Sequence, residues 1–221
     1  MLKRIGFCLS LLILTGSVPA FAQVKGEVGI FAGWTFADGV SGDARLAGDG
    51  NLYDRVDPKD SFGWGIDVGI LVGPGEVGFI YSNQPSTLEI SGTNTREIGD
   101  ISINTYHGYF AYNFGGSDAK VVPYVLGGFG ATSYGGVDFT RLNGQAATIG
   151  GVTKFSSTWG FGVKAYPGKH VGIRAGMRFT PAYIKSDAAG WWCDPYWGCY
   201  VVGDAQYANL FDLTGGVTFR F

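Results

Sequence analysis

Residues 211–221, Phe-Asp-Leu-Thr-Gly-Gly-Val-Thr-Phe-Arg-Phe, alternate between two characters. Phe211, Leu213, Val217, Phe219 and Phe221 share one face of an extended strand; Asp212, Thr214, Thr218 and Arg220 share the other, because successive strand side chains point to opposite sides. The same two-residue period recurs upstream. A first strand over about 25–36 sets Val28, Ile30, Ala32 and Trp34 on one face. A second, over 61–72, alternates Phe62, Trp64, Ile66, Val68, Ile70 and Val72 with Gly63, Gly65, Asp67 and Gly69. A third starts at Glu76 and shows Val77, Phe79 and Tyr81. The pattern predicts a fourth over 101–114 (Tyr106, Phe110, Tyr112, Phe114) and a fifth over 121–134 (Val125, Phe129, Ala131). A sixth covers 154–166 (Trp159, Phe161, Val163, Ala165), a seventh 171–184 (Val171, Ile173, Ala175, Met177, Phe179), and the eighth runs to residue 221.

The connections alternate in length. Gly73-Pro74-Gly75, Gly115-Gly116-Ser117-Asp118 and Pro167-Gly168-Lys169-His170 are short turn signals. The other connections, about 37–60, 91–100, 135–152 and 185–204, are read as long loops. Eight antiparallel strands with long loops on one rim describe an all-β, up-and-down barrel.

Sidedness decides its solvent. The apolar face carries Trp34, Trp64, Trp159, Phe179 and Phe219, and the opposite face is rich in Gly. An eight-stranded barrel has little interior room, so the glycine face belongs inside and the bulky face meets lipid. A soluble ligand-binding barrel has the reverse arrangement. The reading is therefore a transmembrane β-barrel. It places Glu27, Asp67, Glu76, Asp212, Lys164, Arg174, Arg178 and Arg220 in the lumen. Four acids and four bases fit either an ion-pair network that plugs the barrel or the selectivity ring of a small channel.

Lys3 and Arg4 precede an apolar run over 5–14, and Ala20-Phe21-Ala22 follows, the form of a secretory signal peptide. Residues 1–22 are expected to be cleaved, leaving a barrel domain over 23–221, and Cys8 leaves with the leader. Losing Lys3 and Arg4 takes 16 basic residues to 14, against 18 acidic ones, which offers no basic field for nucleic acid. Charged residues are 15% of the chain, aromatics also 15%, and there are 38 Gly, a balance that suits lipid-facing strands. Cys193 and Cys199 remain, an even pair in an exported chain and so an expected disulfide.

With signal peptide, alternating strands and the terminal Val217-Thr-Phe-Arg-Phe221, the chain resembles the small eight-stranded outer-membrane barrel superfamily, which includes the outer-membrane protein A membrane domain and the outer-membrane protein X and Ail-like group. The resemblance implies that barrel-insertion machinery reads Phe219 and Phe221, with Val217 and Leu213 in phase. It implies a bacterial outer-membrane monomer with extracellular loops and periplasmic termini, in contact with outer-membrane lipid and lipopolysaccharide. The peptidoglycan-binding domain of protein A-like members is not expected.

Candidate chemistry is sparse. Trp191, Trp192, Tyr196, Trp197 and Tyr200 surround the cysteine pair. They are read as a contact patch for an unidentified surface ligand, or as a staple whose aromatics lie at headgroup level. Asp38, Asp43, Asp49, Asp54, Asp57 and Asp60 lack calcium-loop spacing, and no metal or cofactor is expected. His107 and His170 are the two histidines, and His107-Gly108-Tyr109 lacks the adjacent Ser that resemblance to lipid A deacylases would require. No enzyme is expected. The expected role is structural or surface-interacting, in adhesion or envelope integrity; a narrow porin or small-solute channel is the alternative, and a lipid A-modifying enzyme the third reading.

Overall fold

The computed structural model describes residues 25–46, 50–115, 119–140, 146–184, 193–194, 198–199 and 206–221. The expected leader lies outside them. The strands are β1 (Lys25–Ala37), β2 (Val40–Leu46), β3 (Leu52–Pro58), β4 (Ser61–Val72), β5 (Gly75–Gly92), β6 (Thr95–Asn113) and β7 (Val121–Tyr134). They continue with β8 (Val137–Thr140), β9 (Ala146–Ile149), β10 (Val152–Ala165), β11 (Val171–Ile184), β12 (Cys193–Asp194), β13 (Gly198–Cys199) and β14 (Gln206–Arg220).

Eight of these close a ring in the order β1, β4, β5, β6, β7, β10, β11, β14. Every neighbouring pair is antiparallel, and β14 returns to β1 with Val28 opposite Phe219 and Trp34 opposite Leu213. Closure removes both sheet edges, which hydrocarbon would otherwise leave without hydrogen bonds. The β4–β5 turn is tight because Gly73, the first of its two central residues, takes φ +60, the conformation a type II′ hairpin requires there, and Pro74 at the second keeps φ negative.

Phe62, Trp64, Ile66, Val68, Ile70 and Val72 are all exposed on the outside of β4, alternating with buried Gly63, Gly65, Asp67, Gly69 and Leu71. From Phe62 to Val72 the strand rises roughly 33 Å, which a barrel tilt of ~40° reduces to roughly 25 Å, the height of an outer-membrane apolar band. The chain is thus a transmembrane barrel with an oily exterior.

All four of the expected long loops contain strands, the 185–204 connection only the short β12–β13 pair. The 37–60 connection folds into the β2–β3 hairpin, which pairs onto β5 with Val56 opposite Ile90. The 91–100 segment belongs to a long β5–β6 hairpin that turns at residues 93–94. The 135–152 segment forms the β8–β9 hairpin. The β2–β3 and β5–β6 hairpins carry the wall beyond the apolar band. Inside them lies a core of Val40, Tyr53, Val56, Leu88, Ile90, Ile101, Ile103, Tyr134, Val137 and Ile184, each nearly inaccessible. Outside them lie polar residues such as Thr87, Glu89 and Asp100.

Candidate functional site

The lumen is built in tiers, starting at the short-turn end. Lys164, on β10, reaches across the bore and places Nζ 2.5 Å from Glu27 Oε1 and 2.7 Å from Glu76 Oε2. Glu27 Oε2 also accepts from Tyr166 Oη at 2.7 Å and from Arg220 Nη2 at 3.1 Å. Glu76 accepts from Tyr109 Oη at 2.7 Å and from Asn113 Nδ2 at 3.1 Å. Each carboxylate is therefore held by several donors, which is what makes a buried charge tolerable. Arg220 also lies 3.9 Å from the centre of the Tyr166 ring.

The next tier pairs Arg174 with Asp67 at 2.6 Å. Above it Arg178 contacts Asp212 at 2.6 Å and donates to Ser82 Oγ at 2.8 Å, while Thr35 donates to Asp212 at 2.7 Å. The Phe31 ring lies between the two arginines, 4.7 Å from Arg174 and 5.6 Å from Arg178. Gly65 makes room for it, since a Cβ there would collide with the ring. All eight charged residues assigned to the lumen thus stand inside it, each in contact with an opposite charge.

Higher still, His107 Nε2 lies 2.9 Å from Ser156 Oγ, to which Thr132 donates at 2.9 Å, and Thr158 and Thr180 share a 3.2 Å bond. The serine that the local sequence around His107 lacks comes from 49 residues away. Sequence proximity could not reveal it; lumen phase on β6 and β10 is the only signal. Both side chains are fully buried, and His107 Nδ1 has no hydrogen-bond partner among the described residues, so no carboxylate orients the ring.

Small voids among the described residues include one of about 20 Å³ beside Thr35, Gln84, Arg178 and Asp212, and one of about 30 Å³ beside Asp67, Tyr109, Lys164 and Arg174. Each has room for about one or two waters. Above them, toward the long-loop end, lies the apolar core.

Outside the barrel, the first connection uses its acids on its own chain. Asp60 accepts from the Ala37 N–H and Asp57 from the Gly39 N–H, both at 2.9 Å. Arg55 pairs with Asp38 and Asp57, and the hydrogen bond it donates to Asp57 holds its guanidinium above the usual pKa. Lys59 is likewise held upward by Glu89 and Glu97. No cluster of three or more metal-ligating side chains occurs among the described residues. His170 sits in the β10–β11 turn with Nδ1 3.0 Å from the Arg220 carbonyl. Phe219 and Phe221 both face outward, at 44% and 73% exposure. Trp191, Trp192, Tyr196, Trp197 and Tyr200 lie outside the described residues.

An oily outer band, a closed antiparallel ring and a charge-paired lumen define a small outer-membrane barrel. The chain belongs to the outer membrane protein beta-barrel domain family, which matches residues 8–221. No curated protein matches it. Its fold is similar to Neisserial surface protein A, at 15% identity and TM-score 0.54, covering 89% of this chain and 97% of that one. It is similar to OprG from Pseudomonas aeruginosa at 14% identity and TM-score 0.54, covering 89% and 96%. The outer membrane protein AlkL matches at 14% identity and TM-score 0.53, covering 100% and 97%.

Proposed function

We propose that this chain is a plugged outer-membrane barrel whose role is structural or surface-interacting, in adhesion or envelope integrity. Its long-loop end faces the cell exterior, its short turns face the periplasm, and residues 1–22 are removed on export. The observation that carries this reading is the lumen, filled by the Glu27–Lys164–Glu76 bridge at one end and by the Leu88–Ile103–Tyr134 core at the other. A barrel that conducts nothing acts through its surfaces, here lipid, lipopolysaccharide and the outer loops.

Cys193 and Cys199 form a disulfide in this reading. The β12–β13 register sets them opposite one another. Opposed Cα atoms of an antiparallel pair lie roughly 4.5–5.5 Å apart, inside the span a disulfide bridges. The Trp191–Tyr200 segment, which contains both cysteines, is the candidate surface contact loop. Planar-bilayer recordings test the plug: the expected result is no stable conductance, and long-lived open channels contradict it. Deleting residues 185–204 then separates the two surviving roles. Lost surface binding with an intact heat-modifiable barrel identifies a recognition loop, and unchanged binding identifies an envelope role.

A narrow solute conduit is the second reading. One observation favours it: the Gln84 amide and Arg178 Nη1 line the smaller void, buried and without hydrogen-bond partners among the described residues. A hydrated path would leave groups in that state.

A further inference from the structure

On most of the barrel the outward apolar positions continue far toward the long-loop end, to Tyr183 on β11 and Tyr207 on β14. On β5 and β6 they stop early, at Tyr81 and Tyr106, whose rings lie 5.2 Å apart. Trp64 packs edge-on against Tyr81 at 5.8 Å. One pleat above, the register aligns Asn83, Asn104, Ser133 and Thr153 across β5, β6, β7 and β10. All four share the outward phase of Tyr81, Tyr106 and Phe155, and they bond along that face: Asn83 Nδ2 donates to Asn104 Oδ1 at 2.9 Å and Thr153 donates to Ser133 at 3.1 Å. Tyr81 Oη ties the rings to the row, donating to Asn104 Oδ1 at 2.8 Å.

We propose that this row is a docking surface for the uncharged sugar units of a membrane glycolipid. The row consists of amides and hydroxyls with no charged member, so it offers little to a phosphate and much to sugar hydroxyls, which need donors and acceptors together. Tyrosines sit at the border of hydrocarbon and headgroup, so a row one pleat beyond Tyr81 and Tyr106 meets the first polar layer. Exposed ring faces beside hydrogen-bonding groups suit a sugar's apolar and polar sides. The inference rests on the proposed orientation, since only an outward-facing long-loop end brings the row to a saccharide layer.

The test uses the full mature chain in detergent, with retained lipid read by native mass spectrometry. The probes are a neutral glycosyl diacylglycerol, lipid A alone, and phosphatidylglycerol. The wild-type protein is expected to retain the sugar-bearing lipid about tenfold more than either other probe, the ratio one or two good hydrogen bonds supply. Asn83→Ala with Asn104→Ala is expected to remove that preference and leave phosphatidylglycerol retention unchanged. Equal retention of all three probes by the wild type overturns the proposal, and so does a double variant that keeps the preference or a row found buried in a dimer. The wild-type comparison needs no folded variant. It is independent of insertion direction, which protease accessibility of the loops in whole cells reports separately.

Discussion

Along β5 the two faces exchange character. In the membrane segment Val77 and Phe79 point outward into hydrocarbon while Glu76 is buried inside, at 2% exposure. In the extension Thr87, Glu89 and Ser91 point outward while Leu88 and Ile90 are buried inside, at 0% and 5%. β6 repeats the exchange in reverse, from Asp100 outside and Ile101 and Ile103 inside to Phe110 and Tyr112 outside and His107 and Asn113 inside. One continuous hairpin is thus a membrane protein at one end and a water-soluble sheet at the other. The solvent on the outer wall decides what the interior must be. Against lipid, apolar groups gain nothing by turning inward, so the lumen is free to hold paired charges. Against water, the hydrophobic effect turns them in.

The contrast gives a graded set of expected losses, each read as unfolding free energy in detergent or bilayer. Lys164→Met removes the cation shared by Glu27 and Glu76, and a broken buried pair is expected to cost about 3–5 kcal/mol. A loss under about 1 kcal/mol would mean that water already solvates that tier. Leu88→Ala opens a cavity in the extension's core, with an expected cost of about 2–5 kcal/mol. Val68→Arg places a charge on the lipid face of β4, with an expected cost of about 2–4 kcal/mol that depends on depth. The same introduced charge at Thr87→Arg, on the outer face of the extension, is expected to change stability by less than about 0.5 kcal/mol. Equal effects for Val68→Arg and Thr87→Arg would erase the distinction between the two regions.

The same exchange sets what the sequence discloses. Where one face is oily throughout, as on β4 from Phe62 to Val72, alternation alone places the strand and its two faces. On β5 the apolar positions run Val77, Phe79, Tyr81 and then shift phase to Leu88 and Ile90. A strand reader meets a break there, and the 91–100 segment looks like a loop because the apolar residues have moved to the other side. β2 and β3 fall to the same difficulty: Val40, Tyr53 and Val56 are few and spaced by acids and arginines, and only packing onto β5 makes them a core. The lumen charges are legible because they occur in phase with glycine on strands otherwise apolar. Their partners are not. That Lys164 bridges Glu27 and Glu76 across the bore, or that Ser156 meets His107, depends on ring order and register, which a sequence read strand by strand does not contain.

Spin labels placed singly at positions 77, 79, 81, 83, 87, 89 and 91 of bilayer-reconstituted protein, with Cys193 and Cys199 replaced by serine, test the exchange most directly through their collisions with oxygen and with a water-soluble nickel chelate. The account predicts oxygen-dominated contact at 77 and 79, a crossover near 83, and chelate-dominated contact at 89 and 91. Chelate access at 77 and 79, or lipid-like contact at 89 and 91, would contradict it.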